Sequence, residues 1–153
     1  MKLRLLTLSL ISALVALPIL SAQEKKMGPK EDQTELGAKM EKLNGAYRKL
    51  GRQISDATKN EDSLAQVAII KENAEAALKL EPAKKKDLPA AEQAKFVADY
   101  QGKMKEFIAM TGKLEAALKA GDNAAAAKLV DDMKNERNAD HKAFKKEEKK
   151  KQG

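Results

Sequence analysis

Leu36, Met40, Leu43, Tyr47, Leu50 and Ile54 follow one another at spacings of 4, 3, 4, 3 and 4. That rhythm puts all six on one face of an α-helix and leaves much of the rest to lysine, arginine and glutamate. A strand would alternate every second residue, and no β-branched alternating run occurs anywhere in the chain. The spacing predicts a first helix from about 34 to 57. Asp32 and Glu35 stand three apart before the apolar stripe, as in a capping box that satisfies the free N–H groups of the first turn.

The same pattern recurs three more times. Ser63 and Gln66 have capping-box spacing and precede a stripe of Leu64, Val67, Ile70, Ala74 and Leu78, which Pro82 ends. Lys84, Lys85 and Lys86 read as a solvated loop, and Pro89 suits the first position of a third helix. That helix is expected over 90–120, with Phe96, Tyr100, Met104, Phe107, Met110, Leu114 and Leu118 inward. Gly102 and Gly112 inside it suggest close packing or room for a ligand, or else a weak spot. Gly121 is the expected left-handed stop and Asp122 the cap of a fourth helix. The fourth stripe comprises Ala126, Val130, Met133, Arg137, His141 and Phe144. Four amphipathic helices joined by short turns predict an all-α, antiparallel up-down-up-down four-helix bundle over residues 34–147.

The start of the chain reads differently. Lys2 and Arg4 precede an apolar run from Leu5 to Leu20, with small residues at Ser21 and Ala22. That order is expected of a secretory signal peptide over residues 1–22, followed by a flexible leader over 23–33. The run is short for a membrane span, so no stable membrane insertion is expected after cleavage; an uncleaved anchor is the alternative. The reading places the mature protein in the periplasm, as a monomer.

Net charge is +7. Six lysines against two glutamates lie between Lys142 and Gly153, so the body of the domain is close to neutral and residues 148–153 form a basic tail. A nucleic-acid reader would spread basic residues over a face with stacking aromatics. Aromatics make up only 3% of this chain, and no nucleic-acid partner is expected. The tail is either a solvated frayed end or a contact for an acidic partner or anionic lipid. No cysteine is present, which excludes a disulfide framework and covalent haem attachment through C-x-x-C-H.

His141 is the only histidine. A lone histidine gives little support to a zinc site or to nucleophilic catalysis, so no enzyme is expected. A surface role is the ordinary reading of such a residue, and core filling is the ordinary reading of Met40. Their placement argues for more. In an antiparallel bundle the start of the first helix and the end of the fourth share one end. Met40 and His141 then stand at one level on inward faces. A thioether and an imidazole facing each other suit low-spin haem iron, with both axial positions filled for electron transfer. Arg137, one turn before His141, would match a haem propionate, or else its stem covers the stripe. Phe107 and Leu43 are candidate walls against the porphyrin, or ordinary core.

The segment Leu36-Gly37-Ala38-Lys39-Met40-Glu41-Lys42-Leu43-Asn44 resembles the first helix of the soluble periplasmic cytochrome b562 family. The segment Arg137-Asn138-Ala139-Asp140-His141 resembles its fourth. Phe107, Met110, Gly112, Leu114, Glu115, Ala117, Leu118 and Lys119 are similar to its third. The resemblance covers roughly residues 34–145. It implies one noncovalent haem b with Met40 and His141 as axial ligands and Phe107 at a haem-contacting position. Leu43, Asn44 and Arg137 complete the cofactor-binding set, and the protein would carry electrons between unknown periplasmic redox partners. A second aromatic position of the family's third helix falls on Lys103 here, with Met104, Tyr100 or Phe96 as replacements for its bulk. The alternative function is a haem-free periplasmic bundle acting as a binding or chaperone-like protein, for which the alanine-rich, aromatic-poor composition and the basic tail speak.

Overall fold

A computed structural model describes residues 34–145. The expected signal peptide (1–22), leader (23–33), Asp32 cap and basic tail (148–153) lie outside the described residues. Within them the chain forms α1 (Glu35–Gln53), α2 (Asn60–Ala77), α3 (Ala90–Lys119) and α4 (Asn123–Phe144). Short 3-10 turns occupy Ala57–Lys59 and Ala83–Asp87. This is an all-α four-helix bundle, with no strand among the described residues.

Local chemistry sets most of the boundaries. The Thr34 hydroxyl accepts from the Gly37 N–H at 3.1 Å and caps α1. α1 ends at Gln53, earlier than the expected 57. Asp56 then turns the chain by accepting from the Thr58 N–H at 3.0 Å and from its hydroxyl at 2.6 Å. The expected capping box at Ser63 and Gln66 is not a helix start. Both residues lie inside α2 and are buried against α1, where Gln53 Nε2 donates to Ser63 Oγ at 3.1 Å. Lys84 to Lys86 belong to a 3-10 turn rather than an irregular loop. Pro89 stands just before the first turn of α3, with ψ of 144°, rather than within it. Gly121 takes φ of 73°, a left-handed value that strains a side chain but not glycine. Asp122 Oδ1 accepts from the Ala125 N–H at 2.9 Å and caps α4.

The four stripes meet in one core. Leu50, Ile70, Ala74, Leu114, Ala126 and Met133 are fully buried, and Val67 and Leu118 nearly so. Polar groups in the interior are bonded locally. Thr111 Oγ1 donates to the Ile108 carbonyl, and Asn73 Nδ2 to the Ile69 carbonyl. Tyr100 donates its hydroxyl to the Ala77 carbonyl at 3.0 Å and ties α3 to the end of α2. Burial raises the pKa of the Tyr100 hydroxyl to about 12, so it stays a donor.

Gly102 and Gly112 do not mark close packing or room for a ligand. Both are exposed, and an added Cβ would meet nothing within 4 Å at either. They are weak spots in a solvent-facing stripe. Replacing each by alanine is expected to stabilise the bundle by roughly 0.4–1 kcal/mol, because alanine loses less backbone freedom on folding. Urea unfolding of the double variant should show a higher midpoint with an unchanged slope.

Candidate functional site

Three contacts fix how α1 and α4 lie together. Asn123 Nδ2, at the start of α4, donates to the Ile54 carbonyl at 2.6 Å, just past the end of α1. The Tyr47 hydroxyl donates to the Val130 carbonyl. Arg137 Nη1 donates to Asn44 Oδ1 at 3.4 Å. Moving forward along α4 therefore moves backward along α1, and the two helices are antiparallel. Four more residues on each helix, about 6 Å of rise, lead from Asn44 to Met40 and from Arg137 to His141.

Met40 is half-buried and packs against the core, while Leu43 is buried within it. Asn44 is half-buried and turned toward Arg137. Phe107 is buried in the same core and retains 8% exposure. The expected site residues thus lie along the α1–α4 seam, with α3 supplying an apolar side chain from within the core.

Arg137 has the most unusual surroundings. Its guanidinium carbon lies 5.5 Å from the centroid of the Tyr47 ring, a cation–π distance. Nη2 reaches Asn138 Oδ1 at 3.4 Å. Nε is shielded from solvent and has no hydrogen-bond acceptor. A buried donor left unmade is costly, and a guanidinium fork suits a carboxylate. The shielded Nε therefore fits an anionic group at this position. Burial raises the Tyr47 pKa to about 12 even though Arg137 pulls it down. Tyr47 thus remains a neutral platform at ordinary pH.

His141 is half-buried. Burial, and then the positive charges of Arg137 and Lys145, push its pKa below the ordinary 6.5, with Asp140 opposing. The imidazole therefore stays neutral to lower pH than a free histidine, and a neutral imidazole is what a metal requires. The unfolded chain takes up this proton first as pH falls. Stability owed to neutral His141 is thus complete above 6.5 and is lost as pH drops through its lowered folded value. Burial raises the pKa of Asp140 above 3.8. Its contribution has the opposite sign: it is complete below 3.8 and is lost as pH rises through the raised folded value. Asp56, Asp62 and Glu115 are held below their ordinary values by hydrogen bonds from Thr58, Lys49 and Lys119 respectively. Unfolding free energy is accordingly expected to rise from pH 5 to pH 7. His141→Gln should flatten that rise in paired urea titrations.

The α1–α4 seam and the neighbouring α3–α4 face also hold features that the apolar stripes did not foretell. Tyr47 serves α4 through its hydroxyl and Arg137 through its ring, although its spacing marks it only as core. Phe144 packs against Phe96 and Tyr100, with ring centroids 5.3 and 5.6 Å apart. Lys103 faces outward, pairs with Glu106 at 2.6 Å and lies in the field of Asp140 and Glu136. Met104 takes the buried place beside it. The polar substitution at 103 thus lies on the α3–α4 surface and leaves the core apolar. The two surface hollows on the α2–α3 and α3–α4 flanks are lined by neither Met40 nor His141.

These elements define an all-α four-helix bundle whose first and last helices present a thioether, an imidazole and an arginine along one seam. Residues 35–145 match the cytochrome b562 family model. The chain belongs to the cytochrome b562 family, and membership points to a haem-binding electron-transfer protein. No curated protein matches the chain. No helix among the described residues is long and apolar enough to cross a membrane.

Proposed function

We propose that this chain binds one noncovalent b-type haem between Met40 and His141 and carries single electrons in the periplasm. The antiparallel register of α1 and α4 supports the ligand pair, since Arg137 meets Asn44 one turn from both residues. The shielded Arg137 Nε supports the same reading, because a propionate carboxylate would give it an acceptor. When bound, the haem supplies a one-electron iron couple. Met40 and His141 would hold it, and a thioether among the ligands would favour the reduced state.

The chain's own residues do the rest. Met40 and His141 would supply the two protein donors to the iron, one from α1 and one from α4. Lowering of the His141 pKa keeps its lone pair available. Leu43, Met104 and Phe107 give an apolar wall that keeps water away. Asn44 and Tyr47 orient the Arg137 guanidinium. The periplasmic location rests on the signal-like start of the sequence, and the redox partners would be those of that compartment.

Colour provides the test. Mature protein titrated with haem is expected to saturate at one equivalent, with a sharp Soret band and narrow, split visible bands on reduction. A spectrum identical to free haem would reject the proposal and favour the haem-free bundle.

A further inference from the structure

Two lysine runs distant in sequence meet at one end of the bundle. Lys84 Nζ, in the turn after α2, donates to the Ala143 carbonyl at 2.6 Å and approaches the Lys142 carbonyl at 3.5 Å. Lys84–Lys86 therefore sit against the last turn of α4, beside Lys142 and Lys145. Lys86, Lys142 and Lys145 are exposed, and Lys85 is answered by Glu81 at 2.8 Å. Asp87 and Asp140 are the other acids in the two segments. At the opposite end three lysines have acidic partners. Lys49 pairs with Asp62, Lys119 with Glu115 and Lys128 with Asp132. The sequence after Lys145 adds four lysines against two glutamates, outside the described residues.

We propose that this lysine-rich end, built from Lys84, Lys86, Lys142 and Lys145, is the docking surface for an acidic face of a soluble redox protein. The proposal rests on the haem reading for its purpose, because His141 lies within this end. A partner drawn to these lysines is brought to the side where electrons would pass. Charge complementarity of this kind speeds encounter more than it strengthens binding, which suits a brief electron-transfer contact. A membrane fits less well. A helix that lies on lipid needs apolar side chains on its outer face. Here Phe144 is held by Phe96 and Tyr100, and Ile69, in α2, is the exposed large apolar residue among the described residues.

Two triple variants with equal charge loss test the assignment. One carries Lys86→Gln, Lys142→Gln and Lys145→Gln. The other carries Lys59→Gln, Lys119→Gln and Lys128→Gln at the far end, where all three lysines are also exposed. The first readout is the oxidation rate of the reduced, haem-loaded protein by hexacyanoferrate(III), an anionic one-electron oxidant. At low salt the first variant is expected to react about threefold to tenfold more slowly than the parent, and the far-end variant within about twofold of it. The difference should vanish at high salt. Equal rates in the two variants would overturn the proposal. A second readout needs no haem, so it separates failure here from failure of the haem reading. In NMR titration of the haem-free chain with poly-glutamate, amide shifts should cluster at 84–87 and 141–145. Shifts spread over both ends would overturn the proposal. So would retention on phosphatidylglycerol vesicles at physiological salt, which would assign the surface to lipid.

Discussion

His141→Ala is expected to abolish the narrow reduced bands and to weaken haem binding by on the order of 100-fold or more, about 2.7 kcal/mol. Met40→Ala is expected to weaken it less. An imidazole is the stronger donor to iron in either oxidation state, whereas the thioether chiefly stabilises the reduced form. The Met40→Ala protein should therefore retain a Soret band, show an open-site spectrum and have a lower potential. Parallel haem titrations and a reductive potentiometric titration measure both effects. If each variant kept the parent's reduced spectrum, the axial pair would be wrong. Arg137→Ala supplies an internal control. It removes the shielded Nε and its cation–π contact with Tyr47 while leaving both donors in place. It should alter affinity without changing band positions.

Leu114→Ala is expected to be among the most damaging single changes to the apoprotein. Leu114 is fully buried in α3, and truncating such a leucine costs about 2–5 kcal/mol through lost transfer energy and the cavity left behind. Domains of this size hold only about 5–15 kcal/mol in total. The haem-free variant should therefore melt roughly 10–30 °C below the parent. Haem at a thousandfold excess over its dissociation constant would restore about 4 kcal/mol by binding the folded state alone. Most of the loss should then disappear on loading. Thermal denaturation followed by far-ultraviolet circular dichroism, with and without haem, measures both numbers. A variant that haem does not rescue would have lost its haem affinity, which would show that the core defect reaches the binding site.

The apolar spacing made the four helices legible because a 3.6-residue period has few competing explanations at this length. Gly121 and Asp122 were readable for the same kind of reason, since a left-handed turn and an N-cap each require a short list of residues. Ser63 and Gln66 were misread because residues three apart share a helix face as surely as they frame a helix start. Only the position of Gln53 and Asp62 shows that the pair is buried against α1. Gly102 and Gly112 were ambiguous because spacing along α3 does not say which side lacks a neighbour. The candidates Met40, Leu43, Asn44, Arg137 and His141 stand out in the sequence as two short patterns, and the structure joins those patterns through the contact of Arg137 with Asn44. The Tyr47 contact with Val130 and the packing of Phe144 on Phe96 and Tyr100 were not. Both join residues far apart in the chain, and each depends on the rotation of α4 about its axis.

Asn60 and Asn123 exchange side-chain hydrogen bonds at 2.8 and 3.2 Å, and Asn123 also grips the Ile54 carbonyl. Three segments are thereby riveted together at the pole remote from His141, while the tip of α4 is moored by one lysine and one ring cluster. The register of α1 against α4 is therefore set at the Asn123 end and carried along both helices to the Asn44–Arg137 contact.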